Sequence, residues 1–372
     1  MRIGIDISVL CYQWDGIGTL VFDFLNYING LDDCDQYFLY ADRPTKVDLA
    51  LDKRFTIHTA NGNNHMLWLL FVLPKYIKND KLDFFWQPNF IFPFKIKNVK
   101  NIIHVHDMSA YAYTNYAPRN TVIAHKLFLK KSCKNAYKIL AISNNGEKEI
   151  EHRLKVNPAK IKVIYIGKKM FPKGEDASES DVDIVLNKFG IHNKEYILFV
   201  GTLSPRKNAN VLIQAYLEYR KNGGKKKLML AGNIAAKCEY LRDVINSSSY
   251  KNDIIFAGYV NDLEKRVLYF NAFSLLFPSR LEGFGYPLLE GMQAEIPVIT
   301  SRVSCMPEIA SDAAIYLDDI DDWKALSECI FRVETMNDDE LKKIVEKGKE
   351  RVDYFDNMSY LRELYNTIHD VE

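Results

Sequence analysis

What most limits the folds open to this chain is a rhythm that runs through it twice. Short runs rich in β-branched and aromatic residues, "RIGIDIS", "YFLYA", "FTIHTA", "DFFWQP", "NIIHVHD" and "KILAIS", alternate with longer segments of helical spacing such as "GTLVFDFLNYINGL" and "TVIAHKLFLKKSCKNA". Alternation of this kind predicts βαβ units and a parallel sheet. The polar stretch "KKMFPKGEDASESD", Lys168 to Asp181, interrupts it, and the rhythm restarts with "YILFVGT", "KLMLAGN", "DIIFAGYV", "SLLFPS" and "PVITS". At 372 residues the chain exceeds one hydrophobic core. The expected architecture is therefore α/β, two Rossmann-like doubly wound domains facing a central cleft. The boundaries read as 1–168 for the first domain, 169–194 for a linker, 195–352 for the second domain and 353–372 for a C-terminal helix returning to the first. Open α/β sheets bind ligands outside the carboxyl ends of their strands, and the glycine-rich and charged oddities of this sequence fall at such ends.

Bulk properties exclude several classes. The opening "MRIGIDISVL" has no apolar region typical of a secretory signal behind it, and no run approaches the length of a transmembrane span. Cys11, Cys34, Cys133, Cys238, Cys305 and Cys329 form no C-x-x-C pair, which argues for a reducing compartment and against a zinc or disulfide framework. The expected location is cytoplasmic. The net charge of +1 conceals an asymmetry, because residues 1–170 carry 24 Lys/Arg against 15 Asp/Glu. That basic excess is modest and comes with no nucleic-acid reading module, so no nucleic-acid partner is expected.

Four stretches carry candidate chemistry. In "YILFVGTLSPRKNANVLIQAY" a buried strand ends at Val200, Gly201 opens a turn and a helix starts near Asn208. Arg206 and Lys207 there suit either a diphosphate held at a helix N-terminus or a solvated basic turn. In "DGIGTLVFDFL", from Asp15, Gly16 and Gly18 allow close backbone approach to a phosphate or sugar, or form a tight structural turn. The dinucleotide fingerprint would need glycine at Val21, which disfavours a dehydrogenase. In "NIIHVHDMSAYAY", His104 and His106 share one face of a strand that Asp107 ends, a poor zinc set, so no metal is expected. His106 reads better as a hydrogen-bonding partner for a polar ligand.

The fourth stretch is "RLEGFGYPLLEGMQAEIPVIT". Pro287 is allowed in the first turn of the helix after strand "SLLFPS". Glu282 then lies in the loop ahead of the helix and Glu290 about one turn inside it. Gly283 and Gly285 bring backbone N–H groups near any ligand. Two carboxylates beside exposed amides suit a ligand with both hydroxyls and phosphates, a sugar nucleotide; a helix-dipole role explains Glu290 but not Glu282 with both glycines.

The "EGFGYPLLE" core, with seven residues between Glu282 and Glu290, the following "PVITS" and Pro307–Glu308 together resemble the signature of glycosyltransferase family 4. "GTLSPRKN" is similar to that family's phosphate-binding turn and "VHD" to its first-domain strand end; the "RIGIDIS…GIGTL" opening is similar to a bacterial mannosyltransferase-like branch. The resemblance implies the GT-B fold and metal-independent transfer, with retention of configuration, of a hexose from a nucleotide-diphosphate sugar. GDP-mannose is the favoured donor and a lipid-linked glycan the expected acceptor, in surface polysaccharide biosynthesis. By the same carry-over Glu290 would bind ribose hydroxyls, Glu282 the donor sugar, and Arg206 with Lys207 the departing diphosphate. The amides around Phe284, Gly285 and Tyr286 would hold sugar and phosphate oxygens. Gly201 would belong to the phosphate-binding turn, His106 would contact the sugar, and Gly16 and Gly18 would lie near the diphosphate. Gly291, Gln293 and Glu295 depart from the family's pattern, as does "YIGKK" after the first domain's last strand.

Lys126, Lys130, Lys131, Lys134 and Lys138 lie among Leu127, Phe128 and Leu129. They suit an anionic membrane surface, on the inner face of the cell membrane, or ordinary solvation of a helix. Two rival functions share the fold. A sugar-nucleotide 2-epimerase would need acid/base carboxylates in both domains. A catalytically silent binding partner would have lost Glu282 or the Arg206–Lys207 pair.

Overall fold

The structure is a computed structural model that describes residues 1–12, 16–60, 64–112, 114, 119–167, 171 and 177–369. Asp15 and residues 168–170 and 172–176 of the expected connector lie outside the described residues. The chain divides into two compact units, Met1–Gly167 with Asn357–Glu372, and Lys168–Asp356.

Unit 1 holds seven parallel strands, β1 (Arg2–Asp6), β2 (Gln36–Ala41), β3 (Phe55–Thr59), β4 (Phe84–Gln87), β5 (Lys100–Val105), β6 (Lys138–Ala141) and β7 (Ile161–Val163), in the order β3-β2-β1-β4-β5-β6-β7. Its central strands are apolar on both faces, as expected where helices cover both sides of a parallel sheet: Ile3, Ile5, Phe85, Ile102, Ile103, Ile139 and Leu140 are inaccessible to water or nearly so. Helix Gly16–Asn29 buries Leu20, Val21, Phe24 and Leu25, and the Phe24 ring meets Trp86 of β4 edge-on at 5.1 Å. Another cluster joins Phe85, Ile103 and Ile139 to Trp68, Leu69, Leu73 and Ile77 of helical segment 65–79 and to Leu129 and Cys133 of helical segment 119–135. Both segments contain a π-helical stretch, Trp68–Val72 and His125–Leu129.

The final helix, Asn357–Ile368, belongs to unit 1. It buries Tyr360, Leu361, Leu364 and Ile368, donates from Asn357 Nδ2 to Asp23 at 3.2 Å and accepts from Lys162 Nζ at Thr367 Oγ1, 2.9 Å away.

Unit 2 repeats the plan with six parallel strands, β8 (Tyr196–Val200), β9 (Lys227–Ala231), β10 (Ile254–Gly258), β11 (Ser274–Phe277), β12 (Val298–Ser301) and β13 (Ile315–Leu317), ordered β10-β9-β8-β11-β12-β13. Its core gathers Ile197, Phe199, Leu228, Leu230, Leu276 and Ile299 with Leu212, Tyr216 and Tyr219 of helix Ala209–Lys221. Residues 177–194, read from sequence as part of the linker, include helix Glu179–Phe189, whose start is fixed by reciprocal bonds between Ser178 and Asp181.

In each sheet the strand order reverses beside the first strand, between β1 and β4 in unit 1 and between β8 and β11 in unit 2. Loops leaving neighbouring strands there run to opposite faces, so their carboxyl ends splay apart and leave room for a ligand. The two Rossmann-like parallel-sheet units are the α/β architecture expected from the rhythm of the sequence.

Candidate active site

The densest charged cluster among the predicted residues lies at the switch point of unit 2. Chain leaving β8 passes through Gly201 (φ 130°) and turns at Arg206–Lys207 before helix Ala209–Lys221, whose cap Asn208 has φ 58°, a left-handed value that Asn tolerates. Chain leaving β11 passes through Arg280–Gly285 into helix Tyr286–Gln293. A backbone bond and a side-chain bond clip the two turns together: Arg280 N donates to Arg206 O at 2.8 Å, and Arg206 Nη1 donates to Leu281 O at 2.9 Å.

At their junction Glu282 lies between two cations. Arg206 Nη1 is 2.8 Å from Glu282 Oε2 and Lys207 Nζ is 2.7 Å from Oε1. Lys207 is buried and its Nζ also sits 4.3 Å from the centroid of Phe277, the last residue of β11. Burial pushes the Glu282 carboxyl up, but Lys207 and Arg206 outweigh it and hold the group below the ordinary carboxylate range. Burial also draws the Lys207 ammonium below the ordinary lysine value, with Glu282 opposing. The side chain of Arg206 is 29% exposed. The triad thus carries a net positive charge with one cation facing water and one sunk beside it.

The main chain of Glu282 is held independently of its carboxylate. Its N–H donates to Ser304 Oγ at 3.2 Å, while its carbonyl accepts from Ser304 Oγ at 3.0 Å and from Cys305 Sγ at 3.3 Å. Gly285 caps the following helix at φ 92°, a conformation that favours glycine. Phe284 turns into the core, its ring 5.2 Å from Phe355, and meets Tyr286 edge-on.

Glu290 lies in the middle of that helix and is 1% exposed. Lys265, from helix Asp262–Phe270, reaches its Oε1 at 2.6 Å. Sequence reasoning missed Lys265 because no motif surrounds it; only its place one turn inside a capped helix, opposite Glu290, reveals it. Gly232, after β9, was missed for the same reason. A Cβ there would lie 2.1 Å from Gly201 O, so only glycine lets the end of β9 pass the turn that leads to Arg206. Gln293, one of the departures from the family pattern, exchanges two 3.0 Å bonds with the backbone of Phe171.

The remaining predicted residues lie in unit 1. His106 follows β5, is buried, and has Nε2 2.8 Å from Pro88 O. His104 stacks on it with centroids 4.5 Å apart, which places both on one face of the strand. Burial first, and the neighbouring His106 second, hold His104 far below the usual imidazole value. Gly16 and Gly18 open helix Gly16–Asn29, with Gly18 buried. Across the switch point of this unit Gln87 donates to Asp6 Oδ2 at 2.8 Å.

Among the described residues no group of three or more His, Cys, Asp or Glu is placed to hold a metal ion. A separate cleft of about 990 Å³ lies near the amino ends of β1, β2 and β3, lined by Arg2, Asp33, Asp35, Gln36 and Arg54 among others. Its charges are largely paired with one another, as in Arg54 Nη1 to Asp33 Oδ1 at 2.6 Å.

This arrangement can hold an anion at Arg206 and Lys207, with the Glu282 carboxylate between them and Glu290 on the helix that follows. Comparison with known proteins points the same way. Residues 182–351 match the family model described as glycosyl transferases group 1, and residues 14–167 match glycosyltransferase family 4. The O-antigen chain mannosyltransferase B of Escherichia coli is 29% identical over 260 residues, 69% of this chain and 66% of that protein. The O-antigen chain mannosyltransferase RfbU of Salmonella typhimurium is 26% identical over 239 residues, 63% of this chain and 61% of that protein. The matched region therefore spans just under two thirds of each relative. The structure of Anabaena HepE in complex with UDP-glucose superposes with a TM-score of 0.72 at 16% identity, covering 100% of both chains.

Proposed function

Because the chain belongs to the glycosyltransferases of group 1 and family 4, with the GT-B fold, we propose that it transfers a hexose from a nucleotide-diphosphate sugar to a glycan acceptor. The observation that carries this reading is the ion triad at the β8–β11 switch point, Glu282 bridged by Arg206 and Lys207 at 2.8 and 2.7 Å. Cleaving the anomeric C–O bond leaves negative charge on the diphosphate and oxocarbenium character on the sugar. Arg206 and Lys207 stabilise the first, and their fixed positions mean that little reorganisation is needed as the charge develops. Glu282 keeps both cations aimed before the donor arrives; once the diphosphate shares their charge, the carboxylate can accept from sugar hydroxyls. Glu290, held by Lys265, accepts from the ribose. The amides about Gly285 and Tyr286 hold the oxygens of the sugar.

The donor is read as GDP-mannose, supported by the names of the two O-antigen relatives, and the acceptor as a lipid-linked glycan. Transfer is read as retaining and independent of metal ions, with a phosphate oxygen taking the acceptor's proton. The test is to supply GDP-mannose, UDP-hexoses and dTDP-rhamnose separately, with and without EDTA, and follow nucleoside diphosphate release. NMR of the product then reads the anomeric configuration. Release from none of the donors overturns the activity. Loss of release in EDTA overturns the metal-free mechanism, and an inverted product overturns retention.

A further inference from the structure

We propose that unit 1 holds a second ligand subsite at the carboxyl ends of β1 and β2, built on Asp42 and shaped for neighbouring hydroxyls of an uncharged hexose. This deepens the reading of a glycan acceptor and rests on it only for the ligand's purpose, since the binding itself requires no transfer.

Two turns make the floor of the subsite. The one-turn helix Ser8–Cys11 and Tyr12 follow β1, while Asp42 and Arg43 follow β2. The register that pairs Asp6 with Tyr40 sets these turns side by side. Lys46 N donates to Leu10 O at 3.1 Å, and Cys11 Sγ donates to Arg43 O at 3.0 Å. Burial first and Asp42 second push the Cys11 thiol up to about 11, so it stays a donor. His65, at the start of helical segment 65–79, completes the group. The carboxyl ends of parallel strands are where open α/β sheets take ligands.

Asp42 is wholly buried, yet its neighbours reach water. Tyr12 Oη donates to Asp42 Oδ2 at 2.6 Å, and His65 Nδ1 and Arg43 Nη2 lie 3.3 and 3.5 Å from the same oxygen. Tyr12, Arg43 and His65 are 37%, 37% and 32% exposed. The Arg43 guanidinium lies 4.7 Å from the centroid of the Tyr12 ring, and His65 meets that ring edge-on at 6.0 Å. Three polar side chains thus gather at one oxygen of the carboxylate and leave the other over. Neither Asp42 Oδ1 nor His65 Nδ1 makes a hydrogen bond among the described residues, although both atoms are buried. Buried polar atoms ordinarily have partners.

A hydroxyl is donor and acceptor at once. When it displaces Tyr12 or His65 from above the carboxylate, it gives Oδ1 the proton it lacks, and a hydroxyl on the next carbon can accept from Arg43. The charges of Asp42 and Arg43 offset one another, which favours an uncharged ligand over a phosphate or an ammonium. Tyr12 adds an apolar ring with a polar tip, suited to the mixed surface of a pyranose.

The test is saturation-transfer NMR of the full chain with methyl α-mannoside, methyl α-glucoside and methyl α-galactoside, without donor, and with inorganic phosphate as competitor. At least one glycoside should bind the intact protein and keep its signal in excess phosphate. Asp42→Asn keeps the shape of the side chain and should weaken binding about tenfold to a hundredfold, as for a hydrogen bond to a charged group. His65→Phe keeps a ring in place and should weaken it about fivefold, as for a neutral bond. Its partly exposed position lets it carry the test should Asp42→Asn fail to fold by circular dichroism. With the bound glycoside as acceptor, its KM should rise by the same factors with little change in kcat. Binding that weakens in the variants supports the subsite even where no sugar is transferred, which separates a failed subsite from a failed transferase reading. The proposal is overturned if no glycoside binds the intact protein or if phosphate displaces it. It is equally overturned if either folded variant binds as tightly as the intact protein, which would leave the cluster a structural network only.

Discussion

Replacing Glu282 with Gln keeps the shape of the side chain and removes the charge that two cations share. Lys207 is buried beside Phe277 and its ammonium lies 2.7 Å from Glu282. Breaking a buried pair by removing one member costs about 3–5 kcal/mol, because the survivor stays desolvated and uncompensated. Arg206 is partly exposed, so water screens its share of the loss, and the lower end, about 3 kcal/mol, is expected. For a unit of this size each kcal/mol moves the melting temperature by about 2–4 °C, so the unit 2 transition should fall by about 6–12 °C. A nucleoside diphosphate returns negative charge to the same two cations, so saturating UDP or GDP should raise the variant's melting temperature by more than it raises that of the intact protein. Sugar transfer should fall by about 100-fold or more. Differential scanning calorimetry with and without nucleotide is the assay. A melting temperature within about 2 °C of the intact protein, with no larger nucleotide response, would refute the argument that the carboxylate organises the cations.

The same group sets an acid limit. Its folded value is depressed, so the stability it contributes is complete above its unfolded value of 4.5 and is lost as pH falls through the folded value; Glu282→Gln should flatten that limb of a pH–melting curve. Lys265→Met should raise the donor KM by about tenfold to a hundredfold with little change in kcat, as expected if Glu290, no longer held by Lys265, loses a charge-assisted bond to the ribose made equally in ground and transition states. Lys265→Arg should recover part of the loss, and an equal fall in kcat would instead assign Lys265 to the chemical step. His104 is fully buried and its folded value lies far below the ordinary 6.5, so the unfolded chain binds a proton that the fold does not. Below about pH 6.5 this drains up to about 1.4 kcal/mol per pH unit from unit 1, and in urea titrations His104→Leu should lessen the slope by about one proton. Gly232→Ala would place a methyl group 2.1 Å from Gly201 O, where only backbone can yield; a loss of about 3 kcal/mol is expected by urea denaturation, and an unchanged midpoint would mean that the β8 turn relaxes at no cost.

The strand–helix rhythm made the two parallel sheets legible, because strands covered on both faces read as continuous apolar runs. It missed β7 and β13, which are three residues each and too short for any period to register. It could not show the π-helical stretches either, since these depend on packing against the sheet and not on local composition. At the candidate site, residues with unusual turn chemistry stood out, as at Gly285 and Arg206–Lys207. Their partners did not. Glu282 and Arg206 are 76 positions apart, and only the strand order that seats β11 beside β8 makes them neighbours. Lys265 and Ser304 carry no local oddity at all. Their importance comes entirely from what the fold sets opposite them.

The path of the chain through its two units bears on how the protein is made. Unit 1 closes only with the helix Asn357–Ile368, so unit 2 is in effect inserted into it. On the ribosome the first seven strands emerge early, yet the surface awaiting Tyr360, Leu361, Leu364 and Ile368 stays bare until unit 2 has been translated. Unit 2, continuous in sequence, is free to fold in the meantime. The nascent amino-terminal half therefore waits longest for completion, and it is the half in which a chaperone has the greatest reason to bind.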